Sequence, residues 1–138
     1  MSRREMRIII ALLYVWLGIG VGILIGALLK DASAWAPSQA VAGALDDAAL
    51  REGIVPACLW SIAYRESRYL PWVDNFQGSG AAGLFQFMPG TWRAYAPQAG
   101  YSGDPALRYD AWAAAHVAAW MIARPRQTGG LSHWGGRC

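Results

Sequence analysis

From Ile8 to Leu29 the chain carries no charge, and after that run it alternates short amphipathic stretches with clusters of turn-forming residues. As an α-helix rising about 1.5 Å per residue, the first run reaches roughly 33 Å, enough to cross a hydrocarbon core of about 30 Å. Residues 1–30 therefore read as an N-terminal membrane anchor, a single pass. Arg3, Arg4 and Arg7 precede it, so the N-terminus is expected in the cytoplasm and the rest of the chain outside. A cleaved signal peptide is the competing reading, since Ala32-Ser33-Ala34 and Ala34-Trp35-Ala36 are both small-x-small sites. Such peptides carry an apolar core of about 7–15 residues, shorter than this run, so a retained anchor is preferred. Either way the second part is exported. Gly18, Gly22 and Gly26 fall four apart, a spacing that suits close helix contact in a bilayer, although glycine is common in membrane spans anyway.

Residues 31–43, rich in Ala and Ser, read as a spacer. Asp46 or Asp47 is then placed to cap a short helix that runs through Glu52 and ends at Gly53. Pro56 suits the first turn of the next helix, where its missing N–H would be unpaired in any case. Along that helix Leu59, Ile62 and Ala63 recur at three-to-four spacing and predict one buried face. A further helix is predicted from Gly90 or Thr91 to Tyr95, followed by a loop from Tyr101 to Leu107. Asp110 then caps a long helix, Ala111 to Arg124, stopped by Pro125. On it Trp112, His116 and Trp120 share one stripe, and Ala113, Val117 and Met121 the adjacent one. Packing is the expected role of His116.

Composition changes this picture little. The hydrophobic share is 55%, high for a soluble chain, and its excess lies in the first run. The formal charge of +3 is +2 in the first 31 residues and +1 beyond them. That near balance leaves the exported part without the electrostatic footprint that nucleic-acid binding needs. A zinc site from Cys58, Cys138, His116 and His133 has no ligand spacing behind it, and neither metal nor cofactor is expected.

The candidate chemistry lies in the middle of the chain. Glu66 follows Ile62 by four residues and so continues the apolar stripe of its helix, an unusual place for a carboxylate. Burial against apolar groups raises a carboxyl pKa, which is what a general acid working near neutral pH requires. Gly78-Ser79-Gly80-Ala81-Ala82-Gly83 follows, and read literally it matches the dinucleotide fingerprint GxGxxG. That motif must leave a buried strand and open a helix, whereas here a helix, Pro71 and a polar loop precede it. The glycines read instead as a turn that brings backbone close to the Glu66 helix. In Leu84-Phe85-Gln86-Phe87-Met88 a glutamine interrupts an apolar run, where a pure core segment would not place one, and bracing the loop is one reading of it. Asp74 is the acid nearest after Glu66. It is a candidate second carboxylate of the kind glycosidases pair, but Asp-Asn before a glycine loop favours turn chemistry.

Glu66-Ser67, Pro71, Gly80-Ala81, Gly83-Leu84, Gln86, Met88-Pro89 and Thr91 together resemble the lytic transglycosylases and goose-type lysozymes, which cut the glycan strands of peptidoglycan. The resemblance extends from about Pro56 to Arg124. It implies a mainly α fold, a small lysozyme-like domain over residues 44–138 behind the N-terminal transmembrane helix. It implies peptidoglycan as partner and Glu66 as the catalytic acid. It also implies substrate-binding roles for Ser67, Gly83, Leu84, Gln86, Phe87 and Met88, with Trp120 standing where the family often has an aromatic beside the groove. In the resembled transglycosylases one Glu suffices because the substrate's N-acetyl group assists, and the product is a 1,6-anhydro ring. The expected function is therefore transglycosylase cleavage of the glycan. The alternatives are a hydrolytic muramidase and a non-catalytic wall-binding module. Many relatives also carry Tyr-Asn-Ala-Gly after this point. Here the tail reads Gly129-Gly130-Leu131-Ser132-His133-Trp134-Gly135-Gly136 instead, so no residue carries over to support Glu66 from that side.

Cys58 and Cys138 both lie in the exported part, and an even count in an oxidising compartment argues for a disulfide. It would pin the tail to the Glu66 helix and close a loop of roughly 80 residues, worth about 4–5 kcal/mol in the chain-entropy view.

Overall fold

The computed structural model of the protein describes residues 36–138, and residues 37–138 form one compact unit. The anchor expected over residues 1–30, with its glycines and cleavage sites, lies outside the described residues. Among the described residues no helix is long and apolar enough to cross a membrane.

Five α-helices and two 3-10 turns make the domain: α1 Gln39–Glu52, α2 Pro56–Ser67, α3 Pro89–Tyr95, the 3-10 turn Pro105–Tyr109, α4 Ala111–Ile122, α5 Pro125–Thr128 and the 3-10 turn Gly130–Trp134. The mainly α expectation holds. Among the described residues extended pairing is limited to two isolated bridges, Asp74 with Ala82 and Ala82 with Phe87.

The first helix is longer than its sequence suggested. Ser38, not Asp46 or Asp47, is its cap, accepting from the Val41 N–H at 3.3 Å, and Val41 already belongs to the core. Residues 39–43, expected in the spacer, are thus the first turn of α1. The two aspartates make other contacts instead: Asp46 accepts from the Trp60 indole at 2.8 Å, and Asp47 from Arg51 one turn on in the same helix and from His116 of α4. The other boundaries follow their local signals. Gly53 ends α1 in the left-handed conformation. Pro56 and Pro89 sit in the first turns of α2 and α3. Asp110 caps α4 by accepting from the Ala113 N–H at 2.7 Å.

Helix α4 is the hub. It contacts α1, α2, α5 and both 3-10 turns, and eight of its twelve residues are buried. An apolar surface nearly all round is what a central helix needs. Both helices bury small residues in the core, α1 with Ala44, Ala48 and Ala49 beside Leu45, and α4 with Ala114, Ala115, Ala118 and Ala119. Such small side chains let two helices approach closely and still fill the space between them at native density. His116 is buried in this interface. Its Nδ1 lies 2.8 Å from the Trp112 carbonyl and its Nε2 2.8 Å from Asp47, a packing role as expected.

A second layer of aromatics closes the other side of the core. Phe87 meets Trp92 and Trp134 edge to face, and Phe85 meets Trp134 likewise. The Trp134 indole donates to the Phe85 carbonyl at 2.9 Å. The tail that carries Trp134 is fixed twice more. A disulfide joins Cys138 to Cys58 on α2, as the cysteine count predicted, and Arg65 of α2 donates to the Trp134 and Arg137 carbonyls at 3.3 and 3.0 Å.

Candidate active site

The last turn of α2 opens into a groove of about 560 Å³. Arg65 to Arg68 line it from the helix end, Leu70 and Val73 to Gln77 from the following loop, and Gln86 from the glycine turn. Glu66 is half-buried, and this burial raises its pKa above the ordinary glutamate value, with the neighbouring Arg65 charge pulling the other way. Desolvation wins because Arg65 is directed into the tail carbonyls rather than onto the carboxylate. Among the described residues no side chain hydrogen-bonds Glu66. Its carboxyl is therefore free to hydrogen-bond a ligand in the groove.

Ser67 is buried and turned inward, its hydroxyl lying 3.0 Å from the Ala63 carbonyl and 2.9 Å from the Leu84 carbonyl. It ties the end of α2 to the glycine turn and so sets where Glu66 sits. The turn itself is Gly83–Gln86, closed by the Gln86 N–H to the Gly83 carbonyl at 3.1 Å and flanked by paired backbone bonds between Ala82 and Phe87. Leu84, Phe85 and Phe87 point into the core while Gln86 points out to the groove. That alternation is the reason a glutamine interrupts the apolar run. Gln86 Nε2 donates to the Val73 and Gly83 carbonyls at 3.0 and 2.9 Å, so the side chain braces the loop while it borders the groove.

The close approach made by Gly83 is not to the Glu66 helix, as expected, but to the backbone of Arg108. A Cβ on Gly83 would fall 1.9 Å from the Arg108 carbonyl oxygen, and its φ of +79° also disfavours any side chain. Sequence reasoning missed Arg108 altogether, because it stands between what read as a plain loop, Tyr101 to Leu107, and the Asp110 cap of the next helix. Its side chain is buried and donates to the Pro105, Gly80 and Phe87 carbonyls at 2.8, 2.7 and 2.8 Å. A guanidinium matches three diverging acceptors because its donors form a rigid fork. No local pattern announces such a clasp.

The remaining candidates divide. Leu84 and Phe87 are core, so they support the groove from beneath. Met88 caps α3 and is part-exposed, but it does not line the groove. Trp120, expected beside the groove, does not line it either. It lies on α4 with the Arg124 guanidinium 4.7 Å from its ring centre. The helical period placed it on a stripe, but which neighbour that stripe faces is a tertiary matter. Asp74 does line the groove, where it accepts a hydrogen bond from the Tyr109 hydroxyl and pairs with Ala82 through the backbone.

A small helical fold that sets a desolvated glutamate at a helix end, facing an open groove, is of the lysozyme-like class. The model of the family described as the transglycosylase SLT domain matches residues 43–135, and the chain belongs to that family. Membership carries peptidoglycan lytic transglycosylase activity at the level of the family. Compared with curated proteins and with solved structures, the chain matched none.

Proposed function

We propose that the protein cleaves the β-1,4 bond between N-acetylmuramic acid and N-acetylglucosamine in peptidoglycan, with Glu66 as its one acid and base, leaving 1,6-anhydro-muramyl ends. The observation that carries this reading is the desolvated, unpartnered Glu66 carboxyl in the groove. Protonated, it gives its proton to the glycosidic oxygen as the bond to C1 breaks. The substrate's own N-acetyl oxygen closes on C1. The resulting Glu66 carboxylate then takes the proton of the 6-hydroxyl, whose oxygen displaces the acetamido group from C1. No water is consumed, and Glu66 ends protonated as it began. Asp74 is not needed as a nucleophile in this scheme, and its bond from Tyr109 supports a structural role.

The same reading places residues 1–30 in the cytoplasmic membrane, with the domain outside. The arginines before an uncharged run support that orientation, and the Cys58–Cys138 bridge suits an oxidising compartment. The test is to incubate the full chain with peptidoglycan and examine released muropeptides by mass spectrometry, with Glu66→Gln alongside. Anhydro-muramyl ends that the variant does not release are the expected result. Reducing ends would make the protein a muramidase, and binding without release by the wild type would make it a wall-binding module.

A further inference from the structure

The loop between Val73 and Gly80 is held at both ends, yet presents an aromatic ring to solvent. Asn75 N–H donates to the Ala81 carbonyl at 2.9 Å, Gly78 N–H to the Asn75 carbonyl at 3.2 Å, and Gln77 N–H to the Asn75 side chain at 2.7 Å. The Tyr109 hydroxyl holds Asp74, and Arg108 holds Gly80. On this fixed frame Phe76 is 96% exposed, the highest value of any large hydrophobic side chain among the described residues. It also lines the groove that contains Glu66. A phenyl ring with almost no protein contact contributes next to nothing to the fold. Exposed apolar surface of this size, on an ordered loop beside a candidate acid, points to a ligand that covers it.

The neighbours specify what that ligand is. Asp74, Asn75 and Gln77 line the groove on either side of Phe76 in the chain, so polar donors and acceptors flank an apolar face. A β-1,4-linked N-acetylated pyranose matches that arrangement. Its substituents are equatorial, which leaves C–H groups on the ring faces and hydroxyl and acetamido groups around the rim. We propose that Phe76 is the stacking platform of a sugar subsite in the groove, where one ring of the glycan lies flat on the phenyl and its rim hydroxyls reach the polar side chains of the same loop. This rests on the peptidoglycan reading and adds a residue that positions the strand for Glu66. Trp72, on the same loop, is 68% exposed but does not line the groove, and so takes no part in the subsite.

The full chain carrying Glu66→Gln, which cannot turn over, is titrated by calorimetry with a soluble β-1,4-linked N-acetylglucosamine oligosaccharide. Phe76→Ala, Phe76→Trp and Trp72→Ala are each added to that background. Removing an aromatic anchor from a binding groove weakens affinity by about tenfold or more. The expected result is that loss for Phe76→Ala, with melting temperature unchanged, retention with Phe76→Trp, and no effect of Trp72→Ala. Equal affinity with Phe76→Ala would overturn the platform, and so would an equal loss with Trp72→Ala. Muropeptide release by the wild type separates two kinds of failure. Release with sugar affinity unmoved by Phe76→Ala refutes the platform alone, whereas neither release nor sugar binding refutes the peptidoglycan reading beneath it.

Discussion

The α1–α4 face and the groove face are built on opposite terms. Where α1 meets α4, alanines pack at near-zero exposure, every residue keeps ordinary helical geometry, and the polar groups find near partners, His116 with Asp47 and Arg124 with Glu52 at 2.6 Å. Around the groove, three residues other than glycine take positive φ: Arg68, Tyr69 and Gln86 at 54°, 66° and 50°. Among the described residues no others do. Left-handed backbone costs about 1–2 kcal/mol at a residue with a Cβ and persists only where the surroundings over-determine it. Here they do, through the Ser67 hydroxyl, the Gln86 amide and the Arg108 clasp. The comparison teaches that stability concentrates on one face, so that the other can hold a desolvated acid and exposed aromatics in place.

The sharpest way to separate the faces is to remove chemistry without touching packing. Glu66→Gln is expected to cut muropeptide release by about 10²–10⁴-fold, the span of a general acid, while the circular dichroism spectrum stays unchanged. Next in size is the staple. Reducing Cys58–Cys138 frees a tail that also carries Trp134, and urea unfolding should then show a loss of up to about 4–5 kcal/mol, the chain-entropy ceiling. Retained activity in the reduced protein at low temperature would show that the bridge serves stability alone.

Two substitutions strike the groove face through its backbone. Gly83→Ala drives a methyl into the Arg108 carbonyl, and Arg108→Ala strands the Gly80 and Phe87 carbonyls. Each is expected to cost roughly 3 kcal/mol in chemical denaturation. A cost below 1 kcal/mol for Gly83→Ala would mean that the turn yields and the groove is not rigid.

Acidity comes next. Burial raises the Glu66 pKa, so the folded protein holds that proton more tightly than the unfolded chain. The stability linked to it is complete below pH 4.5, the group's ordinary value, and is lost as pH rises through the raised folded value. Glu66→Gln should therefore melt above the wild type near neutral pH and converge with it in acid. Activity that needs the protonated acid should decline on the alkaline side of the same raised value. Arg65→Gln removes the charge that opposes the shift and should move that decline to higher pH. The smallest effect belongs to the packed face. Asp47→Asn keeps an acceptor for His116 and should cost about 1 kcal/mol or less.

Much of this protein was legible along the chain. Pro56, Gly53 and Asp110 mark helix ends because capping is a local matter of backbone donors, φ and proline geometry. Glu66 stood out because a carboxylate on an apolar stripe conflicts with its surroundings, and such a conflict is visible at helical spacing. The cysteine pairing followed from a count of two. What the sequence alone determined was thus whatever depends on neighbours within about one helical turn, or on having no alternative partner. The rest needed the assembled fold. Ser38 displaced the aspartates as a cap because Val41 is buried against the core, a contact no local rule contains. Trp120 is absent from the lining of the Glu66 groove and carries Arg124 over its ring, because which neighbour a stripe meets is set by the packed helices. Arg108 became a clasp, and Gly83 a necessity, because two loops far apart in the chain meet there. Phe76 became a candidate sugar platform because the fold turned it outward into the same groove as Glu66. Tertiary structure decided these points, since each depends on distances between residues that the chain alone leaves far apart.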